Sequence, residues 1–240
     1  MTVGILGAGA FGTSLSIALS TPNKKLILWT QNHGTVKSIQ EVRENRLRLP
    51  GYILPEQIIA TNDIAAIKDC SIVLIAVPMQ QLRSLVEMHG SILKGKILVA
   101  CCKGFEVSSG LGPTAILEIA SEKTAVLTGP SFASDLASGF PTALTIASKV
   151  EGLAKYIQKE LGTEILRLYW SNDPIGAELG GALKNVIAIG CGVTIGAGYG
   201  SSSRAALMTR GYSEIVNIAP YFGAKPETLF GLSGLGDLSL

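Results

Sequence analysis

Histidine is nearly absent: the 240-residue chain has only His33 and His89. That excludes a three-histidine metal site and leaves a histidine-based triad without support. Aromatic residues are scarce at 6%, charged residues make up 16%, and the net charge is +2. No lysine–arginine cluster with interleaved aromatics occurs, so composition offers no footprint for nucleic acid. Cys70, Cys101, Cys102 and Cys191 lack metal-ligand spacing. The expectation for them is reduced thiols in the core, with adjacent Cys101 and Cys102 pointing to opposite faces of a strand. The opening "MTVGILGAGAFG" has no basic segment and breaks into glycines too early for a secretory leader. The uncharged run 185–203 approaches membrane length, yet it holds glycines at 190, 192, 196, 198 and 200 and ends in "GYGSSS". This composition predicts a buried, close-packed helix and loop, hence a soluble, cytoplasmic protein with no membrane span.

What is present is a large apolar fraction, 47%, and 28 glycines, enough for one large or two modest domains. The first half alternates short apolar strands with helical patterns, the rhythm of a parallel sheet with crossover helices. Strands are expected at 2–7, 25–30, 71–78, 96–104, 124–133 and 142–148, with helices between them. "LPGYILP" reads as a turn enforced by its two prolines. "EGLAKYIQKELG" and "ILRLYW" read as one further helix and strand. From "SNDPIGAEL" onward the periodicity becomes helical, with Asn172 or Asp173 as cap and Pro174 at the first helical position. The expected organisation is α/β, a Rossmann-type domain over 1–175 followed by the start of an all-helical domain over 176–240.

"GAGAFG" carries glycines at 7, 9 and 12, follows a strand and opens a helix, which is the context a dinucleotide fingerprint requires. Gly7 permits the tight turn, Gly9 the close approach of a pyrophosphate, and Gly12 the packing of helix on sheet. The helix N-terminus then offers unpaired N–H groups and partial positive charge to the anion. After the second strand an acid would select NAD and an arginine NADP. The chain has Gln31 there, so NAD versus NADP stays open. Lys103 follows one strand, and Gly129, Pro130 and Ser131 follow another, at carboxyl ends where open parallel sheets collect ligands. A solvated loop lysine is the plain alternative for Lys103. Lys184 stands in an apolar helix with Gly180, Gly181 and Ala188 one turn away. Those small residues predict an open groove beside the ammonium, and burial would make it a candidate acid and base. Asp237 is its natural partner, with a turn-forming aspartate as the alternative.

Together "GAGAFGTSL", "VPMQ", "CCKGFE", "LTGPSFA", "ELGGALKNVIAIGCG", "LMTRG" and "GLSGLGDL" resemble the bacterial NAD(P)-dependent glycerol-3-phosphate dehydrogenases over essentially the whole chain. The resemblance implies hydride transfer between dihydroxyacetone phosphate and sn-glycerol 3-phosphate, a reaction that feeds phospholipid synthesis. It implies Lys184 as the proton donor and acceptor, oriented by Asp237, which also reaches the substrate. Lys103, Gly129 and Ser131 would hold substrate, with Lys103 and Ala133 near the cofactor. Ala10 and Phe11 would touch the dinucleotide, and Gln31 would stand where many relatives carry a basic residue for NADP. Relatives continue past the position of Leu240 with a Thr-Cys and a Ser-Arg-Asn-type segment that grips phosphate, so weak or absent turnover is expected of the chain as written. A related β-hydroxyacid or 6-phosphogluconate-type dehydrogenase and a non-catalytic dinucleotide-binding remnant remain alternatives. Oligomeric state is open, a homodimer included.

Overall fold

The β-branched run "IVLI" is buried at every position, as expected of a strand covered on both faces. It lies inside the larger sheet of the computed structural model, which describes residues 1–240. The first half contains β1 (Thr2–Leu6), α1 (Ala10–Ala18), β2 (Lys25–Trp29), α2 (His33–Val42), β3 (Glu44–Asn45), β4 (Leu49–Ile53), β5 (Ile58–Thr61), β6 (Ile72–Ile75), α3 (Leu82–Leu93) and β7 (Ile97–Ala100). Then come α4 (Pro113–Leu117), β8 (Thr124–Thr128), α5 (Ala133–Ala137), β9 (Thr142–Ala147), α6 (Leu153–Leu161) and β10 (Leu166–Ser171). The remainder is helical: α7 (Pro174–Gly196), α8 (Ser201–Ile218), α9 (Pro226–Leu229) and a π-helical turn at Leu232–Gly236.

Eight strands form one sheet in the order β10-β9-β8-β7-β6-β1-β2-β5. Two cores cover its faces. One includes Leu15 of α1, Leu136 of α5 and Ile157 of α6; the other includes Leu82 of α3, Leu117 of α4 and Ala177 of α7. Cys101 joins the first core and Cys102 the second, although the strand itself ends at Ala100. Opposite faces therefore hold for these cysteines just beyond the ladder. Burial pushes both thiols up, Cys102 to about 12, which suits inert core residues.

Three expectations are corrected. "LPGYILP" is not merely a turn: Leu49–Ile53 is β4, paired antiparallel with β3 around a register shift. Pro50 is tolerated because this is a two-stranded ribbon with free edges. The sheet is not parallel throughout, since β9 runs antiparallel to β8. The run 185–203 is helical over most of its length but not buried. Val186, Ile189 and Val193 are 65–68% exposed, because α8 covers only one side of α7. Composition announces an apolar helix without saying which face finds a partner. By length and hydropathy α7 could cross a membrane. Its first turns, however, are buried in the protein from Gly176 through Gly181.

α7 starts where Asp173 caps it, accepting from the Gly176 N–H at 3.0 Å, with Pro174 next. The other Asp173 oxygen accepts from the Lys225 N–H at 2.9 Å and the Thr228 hydroxyl at 2.6 Å, fastening the last segment to the start of α7. One turn on, buried Glu178 accepts the Thr114 N–H at 2.8 Å. Gly112, the residue before α4, has no side chain to cap it, so Glu178 caps α4 from another helix. A Cβ on Gly112 would lie 2.2 Å from Glu178 Oε2, so only glycine admits this arrangement.

Burial pushes the Glu178 carboxyl up to about 7, opposed by its Thr114 hydrogen bonds and assisted by the negative charges of Glu118 and Asp173. The folded state thus holds a proton that the unfolded chain releases near pH ~4.3. The stabilisation is complete below that pH and is lost as pH rises through about 7. Urea unfolding across pH 4.5–8 should show this group alone lowering stability by about 3 kcal/mol, and Glu178→Gln should flatten that slope. An unchanged slope in the variant would remove Glu178 as its source.

Candidate active site

The chain leaves β1 toward β2 on one side and returns through β6 on the other, so β1 and β6 flank the switch point where a crevice opens beyond the strand ends. Each fingerprint glycine has a separate physical reason there. Gly7 has φ +109° and donates its N–H to the Trp29 carbonyl at 2.9 Å; a Cβ on it would lie 2.5 Å from the Ala76 carbonyl oxygen. A Cβ on Gly12 would lie 1.9 Å from the Gly7 carbonyl oxygen, so α1 packs on the loop only without one. Around Gly9 nothing stands within 4 Å, an open cradle, and α1 begins there with no side-chain cap. The residues present fit a pyrophosphate: first-turn N–H groups without a side-chain cap, and open space beside Gly9.

Buried Asn45 fixes the loop from behind, donating to the Ala8 carbonyl at 3.0 Å and the Thr13 hydroxyl at 2.8 Å. Gln31 lies exposed just past β2, with Asn32 capping α2 through the Thr35 N–H at 2.8 Å. A neutral amide at that place can bond a ribose hydroxyl without selecting for or against a further phosphate.

Beyond β7 and β8 a cavity of about 310 Å³ is lined by Ala10, Phe11, Lys103, Thr128, Gly129, Ser131, Phe132 and Ala133, among others. Six of the residues singled out in the sequence therefore share one cleft, which joins the start of α1 to the ends of two strands. Gly129 has φ +141° and would bring a Cβ to 3.2 Å from Leu144, so the strand turns sharply there.

Lys103 reaches from this cleft to Asp237, where it meets Lys184. Lys184 Nζ pairs with Asp237 Oδ1 and donates to the Asp237 carbonyl at 3.2 Å, while Lys103 Nζ pairs with Oδ2. Asp237 is 1% exposed, the Lys184 side chain 18% and the Lys103 side chain 32%. Burial holds the Lys103 ammonium below its usual range; Asp237 opposes that shift and the like charge of Lys184 adds to it. Two ammoniums about one carboxylate leave a net positive centre, suited to an anionic ligand or a developing oxyanion.

The groove expected beside Lys184 is filled by the protein. A Cβ on Gly180 would lie 2.2 Å from the Ser233 carbonyl oxygen, and one on Gly181 would lie 3.1 Å from Thr128 Oγ1 and 3.4 Å from Lys103 Cγ. These glycines admit the π-helical turn that delivers Asp237 and the stem of Lys103. The open space lies instead toward Gly129 and Ser131. Asp173 caps α7 as one of the two residues expected there, whereas Asn45, Thr128 and Glu178 carry no such expectation from the sequence. Glu178 had a visible signal, being the other charge in an apolar helix with Lys184; Asn45 and Thr128 had none, since nothing in their neighbourhoods announces burial.

Sequence models of NAD-dependent glycerol-3-phosphate dehydrogenases match the chain twice, the N-terminal model over residues 2–154 and the C-terminal model over 173–240. Glycerol-3-phosphate dehydrogenase [NAD(P)+] of Ruegeria sp. (strain TM1040) is 52% identical over 242 residues, covering 100% of this chain and 75% of the relative. The protein of that name from Neisseria meningitidis is 41% identical over 245 residues, covering 100% of this chain and 74% of the relative. The crystal structure of glycerol-3-phosphate dehydrogenase from Coxiella burnetii superposes with a TM-score of 0.93 at 34% identity, covering 100% of this chain and 74% of that one. The chain thus spans about three quarters of the length of these relatives. The chain belongs to the NAD-dependent glycerol-3-phosphate dehydrogenase family.

Proposed function

We propose that this chain interconverts dihydroxyacetone phosphate and sn-glycerol 3-phosphate with NAD(H) or NADP(H) in the cytoplasm, supplying glycerol 3-phosphate for phospholipid synthesis. The observation that carries the reading is the buried Asp237 carboxylate shared by Lys184 and Lys103 beside the cleft of Gly129 and Ser131. In this reading residues 1–175 bind the dinucleotide and residues 176–240 begin the helical substrate part.

Gly7, Gly9 and Gly12 shape the loop that would hold the dinucleotide. Ala10, Phe11 and Ala133 flank it, and Gln31 meets the ribose. When bound, the cofactor supplies or accepts the hydride. Lys184 Nζ holds the proton that the substrate oxygen needs during reduction and takes it back during oxidation. Asp237 keeps Lys184 aimed, through both its carboxylate and its carbonyl. Lys103 neutralises substrate oxygens, and Gly129 and Ser131 bring backbone and hydroxyl close to them.

Two sets of variants test these roles. Lys184→Ala should lower the rate of dihydroxyacetone phosphate reduction by at least about 10²-fold, with dinucleotide affinity by calorimetry unchanged. A near-normal rate would remove Lys184 from proton transfer. Binding of dinucleotide without turnover, even when the chain is extended to the length of its relatives, would favour a binding remnant, and reduction of NAD(P)+ with hydroxyacids but not with glycerol 3-phosphate would favour the related hydroxyacid enzymes. For the loop, Gly9→Ala should fold with an unchanged melting temperature yet weaken dinucleotide binding by roughly tenfold or more, since its Cβ meets only open space. Gly12→Ala should instead lower the melting temperature, because its Cβ meets backbone.

A further inference from the structure

Buried side-chain polar atoms in this protein find partners with one exception, the Thr128 hydroxyl. Buried serines nearby in the sheet and in α1 are satisfied: Ser148 donates to the Thr124 carbonyl and Ser16 to the Thr13 carbonyl, each at 2.6 Å. Thr128 is the last residue of β8, is 3% exposed, and faces α7 where Gly181 has no side chain. The Lys103 stem lies against the same spot. Thr128 also lines the cleft between the start of α1 and Ser131. Valine would fill the same volume with no orphaned group. A buried hydroxyl left without a partner costs its desolvation, and native proteins keep few such groups, so this one is open to a partner from outside the chain.

We infer that the Thr128 hydroxyl is a substrate ligand, hydrogen-bonding a hydroxyl or carbonyl oxygen of the phosphorylated three-carbon substrate beside Lys103. This rests on reading the cleft as the substrate site. The hydroxyl is shut off from solvent in the ligand-free protein. Lys103 is the most exposed of the three charged side chains, and its ammonium is the part a substrate anion draws away from Asp237. As that stem shifts toward the cleft, the hydroxyl beside it comes within reach of the same ligand. A site that presents a polar group to a substrate oxygen also penalises an analogue without that oxygen, because the group then stays unpaired. Thr128 therefore contributes to discrimination as well as to affinity.

The test compares Thr128→Val and Thr128→Ser with the unaltered chain, measuring KM and kcat for dihydroxyacetone phosphate, dinucleotide affinity and melting temperature. Thr128→Val should raise KM roughly tenfold, leave dinucleotide affinity unchanged, and hold or raise the melting temperature because the orphan is gone. Thr128→Ser, which keeps the hydroxyl, should restore KM. An unchanged KM with a raised melting temperature in Thr128→Val would show an orphan of packing only and overturn the proposal. So would a loss of dinucleotide affinity in step with KM, which marks distortion of the whole cleft. If the chain, extended to the length of its relatives, binds dinucleotide but neither binds nor turns over dihydroxyacetone phosphate, the substrate reading of the cleft fails, and this assignment with it.

Discussion

A single carboxylate, Asp237, held out of solvent between two ammoniums, is the constraint on which the arrangement depends. A buried carboxylate without counter-charge is costly, and removing one partner of a buried pair costs about 3–5 kcal/mol. Here one oxygen pairs with Lys184 and the other with Lys103. The three residues come from α7, from the end of β7 and from the π-helical turn, so the ion cluster ties the helical segment to the sheet. Its electrostatics hold the far ends of the fold in register while leaving one surplus positive charge for a ligand.

Small residues make that convergence geometrically possible. Gly180 lets the Ser233 backbone pass against α7, Gly181 admits Lys103 and Thr128, and Gly234 lets the turn close on Leu229. Asp173 and Glu178, both buried, fix the first turns of α7 to α9 and to α4. Lys184 is thus carried on a helix whose root is fastened at two places, which is how a positioned acid keeps its aim. On the other side of the cleft, the glycine loop is held by Asn45 and by contact with Ala76. Two rigid walls face each other across the space of Gly129 and Ser131.

Much of this was legible from sequence because it is local. A strand followed by G-x-G-x-x-G and a helix specifies its own backbone, and lysines or glycines at strand ends fall where parallel sheets gather ligands. Lys184 and Asp237 could be paired because each is isolated in apolar or glycine-rich surroundings. What stayed hidden depends on contacts between distant segments. The glycines before Lys184 suggested a groove for a ligand, but the space is taken by a turn some fifty residues later in the chain. Thr128 and Asn45 look like ordinary polar residues until burial is known. The antiparallel β9 and the open face of α7 follow from which surfaces meet, a property that periodicity does not carry.

The most direct measurement is the rate of dihydroxyacetone phosphate reduction by Asp237→Asn, alongside its dinucleotide affinity. Asparagine keeps the shape and one acceptor while removing the charge that holds both lysines. The account predicts a loss of turnover of about 10²-fold or more, with dinucleotide affinity retained because the glycine loop is untouched. Turnover close to that of the unaltered chain would contradict it, since the shared carboxylate would then be dispensable to the chemistry it is held to organise.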